Sequence, residues 1–147
     1  MLSDLIGPEQ ILIDFRVNNK TQLLRELSRR AALAVGIDET VIFEVLQARK
    51  NLGSTGLGKG FALPHARLEA LATPFALLAR LAKPIKFDSI DDRPIDLAIL
   101  LLTPAGRPNE HLSALTAVSR PMRDEAMLNR LRSARTAAQL REALLGA

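Results

Sequence analysis

A chain of 147 residues with 48% hydrophobic and 24% charged side chains has the size and composition of one globular domain with a substantial core. It contains no cysteine, which excludes disulfide and thiolate chemistry, and its longest apolar stretch, Leu97 to Leu102, is far short of the ~20 residues that span a bilayer. The net charge of +4 (20 Lys and Arg against 16 Asp and Glu) does not point to nucleic acid: the arginines are scattered among acids, the 3% aromatics are all phenylalanine, and no nucleic-acid-binding motif is present. A mildly basic surface suits an acidic or phosphorylated protein partner. With Asp4 and Glu9 near the start and no basic-then-apolar segment, secretion is not expected and the cytoplasm is the expected location.

Ser3 to Glu9 reads as a short helical turn or loop closed by Gly7-Pro8, and Ile11 to Val17 has the composition of a strand. Thr21 is placed to cap a helix whose Leu23, Leu24, Leu27, Ala31 and Val35 follow the 3.6-residue period, with Gly36 as its stop. Asp38 caps the next helix, which carries Val41, Ile42, Val45, Leu46 and, on the same stripe, Arg49. A glycine loop follows, then a short Phe61–Leu63 strand. Thr73 to Leu81 reads as a strand, and Pro84 with Asp88 to Pro94 as a turn-rich connection. Ile95 to Leu102 has the unbroken apolarity of a strand buried on both faces, apart from Asp96. Pro104 to Pro108 is a loop, Asn109 caps a helix to about Arg120, and Pro121 ends or kinks it. Helices over Asp124–Ser133 and from the Thr136 cap through Leu140, Ala143 and Leu144 complete the chain. Strands separated by helical stretches predict an α/β sandwich, a central sheet with helices on both faces, in a single domain over 1–147.

Chemistry concentrates in Gly53 to Arg67, GSTGLGKGFALPHAR. Four glycines in eight residues let backbone N–H groups turn toward one point, and the first of only two histidines, His65, follows Pro64. Pro64 has no N–H and tends to end sheet pairing, so His65 is expected at a strand end, a place suited to a nucleophile that takes up an anion. The stretch from Gly53 to Lys59 matches the start of the nucleotide-binding phosphate loop. Gly60, however, stands where that loop needs a magnesium-binding hydroxyl, and a helix precedes and a strand follows, the reverse of its context.

Arg49 has two readings: an arginine whose stem lies along the apolar surface at a helix C-terminus, or a guanidinium aimed at an anion near the glycine loop. His111 shares a helix face with Leu115 and Val118, which suits a core histidine. It also follows a Pro/Gly loop at a helix N-terminus, where phosphate binds readily. Two histidines without tight spacing make a poor metal site, and neither a metal nor another cofactor is expected. No nucleophile-elbow pattern surrounds a serine, so Ser54 and Thr55 read as loop hydroxyls donating to an anion, beside the Gly56 backbone.

Taken together, Arg49, Gly53-Ser54-Thr55-Gly56-Leu57-Gly58, Ala62-Leu63-Pro64-His65 and His111-Leu112 resemble the IIA domains of the fructose–mannitol class of the bacterial phosphoenolpyruvate-dependent phosphotransferase system. The likeness runs on through Pro84 to Asp91, Pro94 to Leu97 and Leu131-Arg132 to the final helix, and within the class it is nearest the nitrogen-regulatory members. Three positions depart from the family pattern: Lys50 where an acid is frequent, Ala66 where glycine is frequent, and Pro121 where a leucine is usual. The resemblance implies a mixed sheet flanked by helices. It implies that His65 accepts a phosphoryl group from a phosphohistidine carrier, HPr-like or its nitrogen-branch counterpart, with Arg49 and His111 completing the site. The downstream partner implied is a regulatory protein or a IIB domain. A sugar-transport IIA component and a non-catalytic protein-binding regulator are the alternatives. No fused IIB is expected in a chain of this length, but a stand-alone chain can meet a separate IIB; the likeness to the nitrogen-regulatory members is what favours the regulator.

Overall fold

The computed structural model describes residues 2–51 and 56–145, with the backbone course alone at 49–51 and 56–57. The elements run α1 (Leu2–Leu5), β1 (Ile11–Phe15), α2 (Lys20–Val35), α3 (Glu39–Asn51), β2 (Gly56–Gly58), β3 (Phe61–Ala62), β4 (His65–Leu68), β5 (Phe75–Ile85), β6 (Ile95–Pro104), α4 (Pro108–Ser119), α5 (Glu125–Ser133) and α6 (Ala137–Leu145). Single 3-10 turns stand at Pro8–Gln10 and Pro121–Arg123.

The apolar run of β6 makes it the centre of the sheet. The strands lie in the order β1-β5-β6-β3-β2, with β4 also on β6. β5 is antiparallel to β6, whereas β3 and β4 are parallel to it, and β1 is parallel to β5, so the sheet is mixed. Side chains alternate across a strand, and β6 shows the consequence. Ala98, Leu100 and Leu102 pack with Leu23, Leu24 and Leu27 of α2 and Ile42 and Leu46 of α3. Leu97, Ile99 and Leu101 pack with Ala114 and Val118 of α4, Leu128 and Leu131 of α5, and Leu140 and Leu144 of α6. A strand covered on both faces has no use for polar alternation, and each fully buried leucine or isoleucine contributes roughly 1.5–3 kcal/mol. Helices therefore flank both faces, as the sequence predicts.

Local chemistry shifts several boundaries. The cap of α2 is Asn19, not Thr21: Asn19 Oδ1 accepts from the Gln22 N–H at 2.8 Å, and Gln22 Oε1 accepts from Asn18 N–H at 2.6 Å. The stop at Gly36 is as expected, in the left-handed region at φ 74°. α4 starts at Pro108 after Arg107, not at an Asn109 cap, because proline is favoured at a first helical position. Pro84 lies inside β5, not in the connection. The four residues Leu81–Pro84 face the single residue Asp96 in a bulge between the Arg80–Leu97 and Ile85–Ile95 pairs, where the missing N–H is tolerated. β1 ends at Phe15, short of Val17, and Asp14, at φ 53°, lies in an irregularity between the Leu12–Ala79 and Phe15–Leu81 pairs. The C-terminal part of the glycine loop is itself a strand, β2, paired antiparallel with β3.

Candidate functional site

Phe61 pairs with Leu97 and His65 with Leu101 at the same sequence offset, so β3 and β4 are one line of chain with no slip at Leu63-Pro64. Pairing does not end at Pro64. Its carbonyl accepts from Leu101 N–H at 2.9 Å, and the ladder resumes at His65, the first residue of β4. The alternation then puts Phe61, Leu63 and His65 on the face covered by α4, and Ala62, Ala66 and Leu68 on the other.

His65 is half-buried, and its Nδ1 lies 2.7 Å from the carbonyl of Leu63. A carbonyl only accepts, so Nδ1–H donates, and the neutral ring carries its lone pair on Nε2. From the facing helix comes His111, in the first turn of α4 and 8% exposed. Its backbone N–H bonds to Arg107 O at 3.0 Å, and its Nδ1 lies 2.5 Å from Thr103 Oγ1. The two imidazole centroids are 6.0 Å apart with ring planes at 41°. The structure thus brings together the two histidines that lie 46 positions apart in the sequence.

Arg49 falls near the end of α3, Glu39–Asn51, and its side chain is outside the described residues. Ser54 and Thr55 also lie outside the described residues, and Gly56 opens β2 opposite Ala62. The helix that precedes this segment and the hairpin that follows it match the context that argues against a nucleotide-binding loop.

The β2–β3 hairpin turns through Gly58, Lys59 and Gly60, all with positive φ (94°, 57° and 78°). A lysine there is held by its surroundings. Asp91 Oδ2 accepts from the Lys59 N–H at 2.9 Å, Lys59 Nζ donates to Arg123 O at 3.2 Å, and Arg132 donates to the Lys59 carbonyl. The N–H groups of Lys59 and, next in weight, Arg93 hold the Asp91 carboxyl below its ordinary pKa. Arg132 also makes a bidentate pair with Asp96, both contacts 2.9 Å, and Asp96 N–H in turn bonds to the Gly60 carbonyl. A Cβ on Gly60 would come within 2.5 Å of the Arg132 guanidinium and 2.9 Å of Asp96 Oδ1.

Neither Thr103 nor the carbonyl of Leu63 stands out as a site group in the sequence. The signal for Thr103 is a hydroxyl directly after an apolar run, eight positions before a histidine on the next helix. Among the described residues no three His, Cys, Asp or Glu side chains gather as metal ligands would, and no helix is long and apolar enough to cross a membrane. A cavity of about 580 Å³ on the α2 side is lined by Glu9, Leu12, Arg30, Leu33, Phe75 and Leu77, without either histidine.

Residues 4–146 match the family described as phosphoenolpyruvate-dependent sugar phosphotransferase system, EIIA 2. A nitrogen regulatory protein of Bradyrhizobium diazoefficiens is 45% identical over 92% of this chain and 89% of its own length. The crystal structure of the nitrogen regulatory protein IIA-Ntr from Neisseria meningitidis superposes with a TM-score of 0.92 at 29% identity, over 97% of this chain and 98% of that one. Enzyme IIAMTL of Escherichia coli, solved in complex with phosphorylated enzyme IIBMTL, shares the fold at a TM-score of 0.81 and 19% identity, over 97% and 98%. A mixed sheet with helices on both faces, a histidine pair across the β4–α4 seam and a match over nearly the whole length lead to one assignment: the chain belongs to the type-2 EIIA family of the phosphoenolpyruvate-dependent phosphotransferase system.

Proposed function

We propose that this protein is a cytoplasmic phosphoryl carrier that works as a nitrogen regulator, accepting phosphate on His65 from a phosphohistidine carrier of the HPr-like or nitrogen-branch kind. The observation that carries the reading is the His65–His111 pair: 6.0 Å between ring centroids, with Nδ1 of His65 bonded to Leu63 O. In the reaction the Nε2 lone pair of His65 attacks the phosphorus in line. The new N–P bond forms as the donor N–P bond breaks, and that electron pair returns to the donor imidazole. The transition state is loose and asks for positioning and charge more than for bond-making help. His111 donates to a phosphoryl oxygen, and Arg49, the hydroxyls of Ser54 and Thr55 and the Gly56 N–H are the further anion donors. Transfer from one histidine to another requires neither metal nor nucleotide.

A histidine of a partner protein has to reach this site, and Leu112, directly after His111, is 60% exposed, an apolar contact for such a partner. Incubation with phosphoenolpyruvate, the first enzyme of the system and a candidate carrier should add one phosphate to the intact mass, labile to acid and stable to base. His65→Ala should take up none. Full labelling of that variant would sink the assignment.

Membership of the sugar phosphotransferase EIIA 2 family favours a second reading, an IIA that hands its phosphate to a IIB domain. Efficient transfer from phospho-His65 to a sugar IIB, with carbohydrate uptake lost on deletion, decides for transport over regulation. The 45% identity to a nitrogen regulatory protein supports regulation.

A further inference from the structure

We infer that Thr103 is a positioning residue for the phosphoryl transfer proposed above, on which this inference rests: its hydroxyl donates to His111 Nδ1 and holds the His111 ring as the Nε2–H tautomer. β6 is apolar from Leu97 to Leu102, and Thr103 follows with 0% exposure. Among the described residues Thr103 Oγ1 has one hydrogen-bond partner, His111 Nδ1 at 2.5 Å. A hydroxyl hydrogen sealed in a packed strand needs an acceptor. Donation from Oγ1 to the Nδ1 lone pair supplies one; the reverse, Nδ1–H donating to Oγ1, leaves the hydroxyl hydrogen unpaired in the core.

With its Nδ1 lone pair engaged, neutral His111 carries its proton on Nε2, as a donor. His65 is in the complementary state, with the proton on Nδ1 and the lone pair on Nε2. The two rings therefore offer one attacking nitrogen and one N–H donor, the pair needed by a phosphoryl group that forms a bond to His65 while an oxygen is steadied by His111. β6 governs both settings. Leu101 registers His65, and Thr103, two residues further along on the same face, orients His111.

The test reads the ring nitrogens of His111 in the full chain labelled with ¹⁵N-histidine and kept unphosphorylated. Long-range ¹H–¹⁵N correlation in wild type should show Nδ1 unprotonated and Nε2 protonated. Thr103→Val keeps the volume and removes the hydroxyl. It should transfer a measurable fraction of the proton to Nδ1 and slow phosphate uptake by roughly 10-fold, with the one-phosphate endpoint unchanged. Thr103→Ser should restore both. An Nδ1–H His111 in wild type overturns the proposal whether or not the valine variant folds, and so does a folded Thr103→Val with the wild-type tautomer. Because the tautomer is read before any phosphate is added, a wild-type chain that takes up none refutes the carrier reading and leaves the result for Thr103 standing.

Discussion

His65 and His111 are set apart by their surroundings. One stands at the start of a strand with a carbonyl fixing its Nδ1, and the other is buried in a helix with a hydroxyl at its Nδ1. On the proposed reading His111 and Arg49 stabilise charge and neither forms the N–P bond. His111→Ala and Arg49→Ala should then fold, accept one phosphate and do so about 10–1000-fold more slowly, the range for loss of one preorganised donor. Rapid-quench uptake from the phosphorylated carrier measures this. A folded variant that transfers at the wild-type rate would make that residue merely structural. Leu112→Glu should raise the KM for the carrier and leave the maximal rate within a few-fold, as expected for a residue that touches partner and not phosphate. A fall in maximal rate with unchanged KM would remove Leu112 from the docking surface.

Among the elements, the turn of the β2–β3 hairpin is held by polar contacts from outside it: Asp91, Asp96 and Arg132 all reach Gly58–Gly60. Gly60 and Gly36 test what the clamp adds. Both have positive φ, but a Cβ on Gly36 meets nothing within 4 Å, whereas one on Gly60 runs into Arg132 and Asp96. Gly36→Ala should cost about 1 kcal/mol, the left-handed penalty alone. Gly60→Ala should cost more, about 2–4 kcal/mol, as the same penalty plus a displaced ion pair. Urea midpoints compare them, and equal losses would mean that Arg132 yields freely. Asp91 gives a pH signature. Its pKa is lowered in the fold, so its stabilisation is present above the unfolded value of about 3.9 and is lost as pH falls through the folded value. Asp91→Asn should flatten that acid limb, and a limb of unchanged steepness would assign it to other carboxylates.

Across the molecule, what was legible in the sequence was whatever periodicity or residue type carries locally. The β6 run, the stripe of α2 with its Gly36 stop, the helix that is α5 and the short strand from Phe61 could all be read directly. Pro84 inside β5 and the β2 pairing could not, because a bulge and a strand partner depend on distant chain, and Thr103 gained its meaning only when β6 met α4. The same long-range construction bears on regulation. A phosphoryl group on His65 would add about −2 charge to a chain of net +4. Regulated targets should therefore bind unphosphorylated wild type and His65→Ala alike, and respond to phosphorylation only in the wild type. A target that distinguishes the two unphosphorylated forms would tie regulation to the ring itself. The most direct measurement of the central claim is the atom that carries the phosphate, read by ³¹P and ¹⁵N NMR on the ¹⁵N-histidine-labelled, phosphorylated chain. A single phosphoryl group bonded to Nε2 of His65 is expected, with Nδ1 still protonated against Leu63 O. A bond to Nδ1 of His65, or to either nitrogen of His111, would contradict it.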